Sequence, residues 1–146
     1  MTEIRFHFNV ADSIDYACRL LRKATRQGAT VVVTGAAATL ATLDRALWAF
    51  EAVEFLPHVL LRAGQAVPDR LRATKLWLCE DAGASGHHDV LVNLGLDAVE
   101  APAGFESFAK VIELVSTDDD ERLAARQRWK HYAARGYAIE RHEVMS

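Results

Sequence analysis

The stretch IRFHFNVADSIDYACRLLRKATRQGATVVVT, from Ile4 to Thr34, decides the fold. Its first seven residues alternate between apolar and polar types and are rich in aromatic and β-branched side chains, which predicts a strand over Ile4–Val10. Apolar residues at helical spacing follow over Ser13–Gln27, and Gly28 ends that pattern. Three consecutive valines then predict a strand over Thr30–Thr34, of the kind buried between helices in a parallel sheet. The stretch is therefore a βαβ unit.

The rest of the chain continues this alternation. We expect a helix over Thr39–Phe50, a loop over Phe55–Pro68, strands over Lys75–Cys79 and Asp89–Leu94 with the loop Glu80–His88 between them, a strand over Val111–Val115, a helix within Arg122–Tyr137 and an extended tail over Tyr137–Glu143. The nearly all-apolar strand Asp89–Leu94 should be central. These elements predict an α/β fold of three layers, with a mostly parallel sheet flanked by helices, and residues 1–146 are expected to form one domain.

Composition and charge exclude several classes of protein. With 51% apolar and 25% charged residues, the chain resembles an ordinary globular protein, and it has no run near the ~20 apolar residues of a membrane span. Its polar, acidic start Met1-Thr2-Glu3 is not typical of a signal peptide, so we expect a cytoplasmic protein without membrane contact. The net charge of −3 argues against direct DNA binding. Cys18 and Cys79 lie in apolar surroundings, which predicts buried free thiols.

The sequence contains only weak signals of catalysis or metal binding. Gly35 follows the valine strand, where a dinucleotide-binding fold has a glycine-rich loop, but the segment Thr34–Ala38 supplies one glycine of the three required. We interpret Gly35 as a turn residue. The pair His87-His88 has no third ligand at a diagnostic spacing, so no metal site is predicted. The sequence indicates no catalytic residue and no cofactor, and a small α/β nucleotide-binding enzyme of unknown substrate is the alternative interpretation.

The late helix carries the most distinctive surface. Arg126, Trp129 and Lys130 fall at positions i, i+3 and i+4, which places two cations and a large aromatic ring side by side, with Arg122 and Ala133 at the border. Such a surface can hold a carboxylate and an aromatic ring together.

The remaining positions of this helix predict how it is oriented. Ala125 and Tyr132 are expected to be buried, whereas Arg128 and Arg135 are expected to point toward solvent. The acidic run Asp118–Glu121 suits the positive end of the helix dipole. The alternative is an ordinary amphipathic helix whose tryptophan packs down on the sheet.

A second group of apolar and aromatic residues follows the helix predicted over Thr39–Phe50. Trp48 near its end, and Phe55, Pro57 and His58 in the next loop, must pack either under their own domain or against another protein. A partner surface is one of these two alternatives.

At this point the sequence resembles the chi subunit of bacterial DNA polymerase III over nearly its whole length. The similarity is most specific in Leu43-Asp44-Arg45-Ala46-Leu47-Trp48 followed by Phe55-x-Pro57-His58, in Asp89-Val90-Leu91-Val92-Asn93-Leu94, and in Val115 followed by Arg126, Trp129, Lys130, Tyr132 and Gly136-Tyr137. The resemblance implies a Rossmann-like fold and a non-catalytic accessory subunit of the clamp-loader assembly.

The resemblance also implies two partners. One is the acidic C-terminal tail of single-stranded DNA-binding protein, which ends Asp-Asp-Ile-Pro-Phe, and the matching residues for it are Val115, Arg126, Trp129 and Lys130, with Trp129 where a tyrosine is usual. The other is the psi subunit of the clamp loader, for which the matching residues are Trp48, Phe55, Pro57 and His58.

Overall fold

The computed structural model of the protein describes residues 2–49, 56–62 and 65–144. The strands and helices are β1 (Glu3–Val10), α1 (Ser13–Arg26), β2 (Val31–Thr34), α2 (Ala37–Ala49), β3 (Val59–Leu61), β4 (Leu76–Cys79), β5 (Val90–Asn93), β6 (Lys110–Ser116), α3 (Asp119–Ala134) and β7 (Ile139–Glu143). Within residues 2–49, 56–62 and 65–144, no helix combines the length and apolar character needed to cross a lipid bilayer.

The strands of the described residues form one sheet in the order β3-β4-β2-β5-β6-β1-β7, and every neighbouring pair is parallel. The prediction of an α/β fold of the Rossmann-like, three-layer type is confirmed. Strand β5 occupies the centre of the sheet, as its apolar sequence predicts, because a central strand with both faces covered by helices must be apolar on both sides.

Two separate cores cover the faces of the sheet. On one face, α1 and α2 bury apolar side chains against β2, β4, β5 and β6, among them Leu21 and Leu43. On the other face, α3 packs Ala125 and Tyr132 against a cluster that includes Phe6 of β1. The side chains of β1 alternate between these faces. This alternation directs Phe6 and Phe8 toward the α3 side, where the candidate site lies.

Two edge strands correct the sequence-based prediction. Strand β3 lies inside the stretch expected to be a loop, and the tail expected after Tyr137 is strand β7, which pairs with β1 from Ile4 opposite Ile139 to Phe8 opposite Glu143. Both are short strands at the edges of the sheet. The apolar-polar alternation that identifies a strand is weak in β7 because most of its side chains are exposed.

Helix α3 has well-defined ends. The Asp118 carboxylate accepts a hydrogen bond from the backbone N–H of Glu121 at 3.0 Å, and the first turn is acidic, as the predicted interaction with the helix dipole requires. At the other end, Gly136 adopts a left-handed backbone conformation (φ 81°), and the N–H of Tyr137 donates to the carbonyl of Tyr132. This turn reverses the chain and directs it into β7, beside β1.

The two cysteines are buried free thiols, as predicted. Cys18 lies on α1 and Cys79 at the end of β4, and burial is the main cause that raises the pKa of each thiol to about 11.

Candidate functional site

A hollow of about 340 Å³ opens on the sheet face covered by α3. We call it the α3 pocket; residues of β1, β6, α3 and β7 line it, namely Phe6, Phe8, Val115, Arg122, Ala125, Arg126, Trp129 and Arg141. Its size falls in the range of ~300–1,000 Å³ typical of small-ligand sites.

The floor of the α3 pocket is apolar. Phe6, Val115 and Ala125 belong to the buried core, and Phe6 is only 3% exposed. The indole of Trp129 is half-buried, with its ring centroid 4.9 Å from that of Phe6 at a tilt of 54°. The indole therefore packs on the sheet through one part and borders the pocket with another.

The rim of the α3 pocket is cationic. Arg122 and Arg126 lie one turn apart on α3, and Arg141 comes from β7, where the register places it opposite Phe6. The Arg141 guanidinium lies 5.1 Å from the centroid of the Phe8 ring, a cation–π contact. Within the described part of the chain, none of these three arginines has a carboxylate within 4 Å, and none of the residues that line the pocket is acidic.

This arrangement suits a ligand with both an aromatic or aliphatic group and negative charge. The floor can remove an apolar side chain from water, while the three guanidinium groups can bind carboxylates at the rim. A purely apolar ligand would leave the three arginines without a carboxylate partner, and a purely anionic ligand would leave the apolar floor exposed to water.

The structure brings together three of the four residues predicted for the tail site. Val115, Arg126 and Trp129 all line the α3 pocket, whereas Lys130 lines a separate open hollow on the other flank of α3, together with Glu100. Ala133, expected at the border of the site, is exposed and does not line the pocket.

Phe6, Phe8 and Arg141 also line the pocket, and none of them was among the residues predicted for this site. The alternation of β1 predicts that Phe6 and Phe8 share one face. Their position beside α3, and the position of Arg141 opposite Phe6, depend on pairing between β1 and β7, which are more than 130 residues apart.

The position of Arg128 shows that another prediction was wrong. It was expected to face solvent, but its side chain is 0% exposed and its Nε donates to Glu113 Oε1 at 2.9 Å. Glu113 lies in β6 beneath α3 and is also 0% exposed. A buried carboxylate requires a partner, and α3 supplies the cation from its inner face.

The ion pair belongs to a larger buried network. Asn93 of β5 donates to Glu113 Oε1 at 2.9 Å, and the Tyr132 hydroxyl donates to Glu113 Oε2 at 2.7 Å. Arg128 Nη1 also donates to the carbonyls of Leu96 and Ala98 in the loop after β5. Burial, followed by the nearby Glu113 carboxylate, raises the pKa of Tyr132 well above its usual value. The network fixes the rotation of α3, and with it the direction in which Arg126 and Trp129 point.

The second predicted surface lies at the far end of α2. Trp48 is 60% exposed, and its ring centroid lies 5.3 Å from that of His58. His58 is held by Asp44 Oδ1 at 2.9 Å and by the carbonyl of Leu56 at 2.8 Å. Pro57 is exposed beside it, and Phe55 lies outside the described residues. An exposed indole on a fixed support is a common feature of protein-binding surfaces.

The hollow beside Gly35 has the wrong charge for phosphate. Four acidic residues line it and no lysine or arginine does so; the acidic ones are Glu80, Asp81, Asp97 and Glu100. A Cβ on Gly35 would lie 3.3 Å from the backbone carbon of Leu94, so the missing side chain permits close packing against the residue that follows β5. In the described part of the chain, no three histidine, cysteine or acidic side chains are grouped so that they could hold a metal ion.

The fold and the α3 pocket together define a parallel, three-layer α/β protein with an open cleft that has an apolar floor and a cationic rim. Sequence comparison then gives the family. A family model described as "DNA polymerase III chi subunit, HolC" matches residues 1–140, and the chain belongs to this family.

Three curated relatives show the extent of the similarity, and each is named DNA polymerase III subunit chi. The chain is 36% identical to the protein of Pseudomonas aeruginosa (strain PAO1) over 132 residues, which cover 90% of this chain and 86% of that protein. It is 28% identical to the Haemophilus influenzae protein over 131 residues, 89% and 86% of the two chains. It is 29% identical to the Escherichia coli K12 protein over 97 residues, 66% and 61% of the two chains.

Proposed function

We propose that this protein is an accessory, non-catalytic subunit of DNA polymerase III that binds the C-terminal tail of single-stranded DNA-binding protein in the α3 pocket. Family membership supports the role in the polymerase. The observation that carries the binding proposal is the combination of an apolar floor with three arginines that have no carboxylate partner among the described residues. A peptide end with a terminal phenylalanine and preceding aspartates has the matching chemistry.

The terminal phenylalanine ring packs on the pocket floor between Val115 and Trp129, and Arg126 binds the terminal carboxylate. Lys130 lies outside the pocket and extends the positive surface along α3. Burial of one aromatic ring contributes ~1.5–3 kcal/mol, and each exposed ion pair contributes under ~1 kcal/mol. The apolar floor therefore determines specificity, while the cations determine the salt-sensitive rate of encounter.

The affinity expected from so small a contact is micromolar, about −8 kcal/mol. A partner with several tails would raise the apparent affinity through avidity without any new contact. Low affinity for one tail and high avidity for several suit a subunit that connects a moving polymerase to protein-coated single-stranded DNA.

Fluorescence polarisation with a labelled peptide ending Asp-Asp-Ile-Pro-Phe tests the proposal. Trp129→Ala is expected to weaken binding about tenfold or more, because it removes part of the apolar site for the ring. Arg126→Gln is expected to weaken binding about two- to fivefold, because it removes an exposed ion pair with the terminal carboxylate. Arg135→Gln is the matched control, because Arg135 is an exposed arginine at the end of α3 that does not line the pocket. A peptide without the terminal phenylalanine should not bind.

An unchanged affinity in both the Trp129→Ala and the Arg126→Gln variant would refute the assignment of the tail to this pocket. Circular dichroism spectra identical to that of the unaltered protein show that lost binding is not caused by unfolding.

The surface of Trp48, Pro57 and His58 is proposed, with Phe55, as the site for the psi subunit. The exposed indole and its fixed histidine neighbour support this role. Trp48→Ala should abolish co-purification with psi and leave tail-peptide binding unchanged. Equal loss of both activities would show that the two surfaces are not independent.

A further inference from the structure

Arg141 belongs to β7 and lies on the wall of the α3 pocket opposite helix α3. From the geometry we infer that Arg141 binds an acidic side chain that precedes the terminal residue of the docked peptide. This inference rests on the proposed function, because it assigns a further contact to the same peptide. This contact narrows the class of peptides that the α3 pocket should bind. Such a peptide needs an acidic residue that reaches β7 while its terminal aromatic ring occupies the floor.

The position of Arg141 is fixed by the sheet. The parallel register places it opposite Phe6, the residue at the floor of the pocket that also contacts Trp129. Arg141 and Trp129 therefore flank the same floor residue from two different elements. A peptide seated on this floor has a cation on each side.

The Arg141 guanidinium is available for a carboxylate. Its Cζ lies 5.1 Å from the centroid of the Phe8 ring, a contact that uses the face of the ring and none of the N–H groups as hydrogen-bond donors. These N–H groups can donate to a carboxylate in pairs. The neighbouring Glu140 is bound instead to Arg5, at 2.8 Å. In the described ranges, no carboxylate lies within 4 Å of Arg141.

From the bound terminal ring, the acidic part of the peptide could follow either of two paths, and the charges along them favour one. One path crosses the pocket to Arg141, and the other follows the outer surface of α3 to Lys130. The hollow that Lys130 lines also contains Glu100, whose carboxylate repels an acidic residue. The α3 pocket has no acidic lining residue among those described. The path to Arg141 is therefore favoured electrostatically.

A double-mutant cycle tests this pairing by fluorescence polarisation with the intact protein. Two labelled peptides are used, one ending Asp-Asp-Ile-Pro-Phe and one ending Asn-Asn-Ile-Pro-Phe, so that both keep the terminal ring and the terminal carboxylate. Arg141→Gln is expected to weaken binding of the acidic peptide about two- to fivefold, as exposed ion pairs do, and to leave binding of the neutralised peptide unchanged. Arg135→Gln, with the same change in net charge, should affect neither peptide beyond a factor of about 1.5.

The outcomes separate this inference from the proposed function. If Arg126→Gln weakens binding of both peptides while Arg141→Gln weakens both peptides equally or neither, the pairing of Arg141 with an acidic side chain is overturned and the tail site stands. If the unaltered protein binds neither peptide, the proposed function fails and this inference fails with it. The neutralised peptide also reports on folding, because retained binding to it shows that the pocket of Arg141→Gln is intact.

Discussion

Replacing Glu113 by glutamine tests the buried network under α3. The substitution keeps the shape of the side chain, and the amide oxygen can still accept hydrogen bonds from Arg128 and Asn93, while the Tyr132 hydroxyl can accept from the new amide group. What is lost is the negative charge that compensates Arg128. Because both side chains are 0% exposed, the guanidinium is then buried without a counter-charge. Breaking a buried pair in this way costs about 3–5 kcal/mol.

That loss is a large part of the ~5–15 kcal/mol by which such domains are stable. Urea unfolding followed by circular dichroism and tryptophan fluorescence measures it, with the slope against urea unchanged if the folded state stays intact. The matched control is Glu140→Gln, which removes a carboxylate from the exposed pair with Arg5 and should cost under ~1 kcal/mol. The double variant Glu113→Gln, Arg128→Met should be more stable than Glu113→Gln alone, because no uncompensated charge remains buried.

Two results would refute this reasoning. A loss below about 1 kcal/mol for Glu113→Gln would mean that the charge contributes little in this environment. A double variant that loses the sum of the two single changes would mean that Glu113 and Arg128 do not act as a pair.

Three further predictions concern other parts of the fold. Burial is the main cause that lowers the pKa of His7 from 6.5 to about 4, so the unfolded state binds more protons than the folded state between these pH values. The free energy of unfolding should therefore fall by about 1–2 kcal/mol as the pH drops through this window. Urea titrations at several pH values should show that the free energy of unfolding of His7→Phe depends less on pH, and an equal dependence in both proteins would contradict this. At pH 8 the native thiols of Cys18 and Cys79 should react slowly with Ellman's reagent and promptly in urea, since burial raises the pKa of both to about 11; rapid native labelling would speak against it. Gly35→Ala should destabilise the fold by about 1 kcal/mol or more, because the new Cβ would lie 3.3 Å from backbone at the end of β5, whereas Gly83→Ala, with a nearest contact at 3.5 Å to a side chain, should be nearly neutral.

The central strands β2, β4 and β5 could be predicted from the sequence because they are apolar on both faces, and β1 could be predicted from its apolar–polar alternation. The valines of β2 and the apolar run of β5 identify buried parallel strands without any knowledge of their neighbours. The edge strands could not be predicted in this way. Strand β7 is held by its pairing with β1, and that pairing is a property of the folded sheet rather than of the residues of β7 themselves.

The candidate site could be predicted only in part, because it also depends on how separate elements pack together. Helical spacing groups Arg126 and Trp129 correctly, but it cannot tell which flank of the helix meets the sheet, and so it placed Arg128 in solvent. One signal for the correct rotation was present: Glu113 is the lone carboxylate within the apolar strand Lys110–Ser116, and a buried acid of this kind requires a cation from the covering helix. Arg128 is the residue of α3 that meets this requirement.

The return of the chain into β7 has a practical consequence for anyone who shortens or tags this protein. Because β7 runs parallel to β1, residue 143 reaches the same border of the sheet as Phe8, whereas Glu3 begins at the opposite border. Deleting the residues after Tyr137 would strip β1 of its outer neighbour and remove one wall from the cleft. A purification tag is therefore better placed at the N-terminal end, because one at the C-terminal end would follow closely on β7, which contributes Arg141 to the α3 pocket.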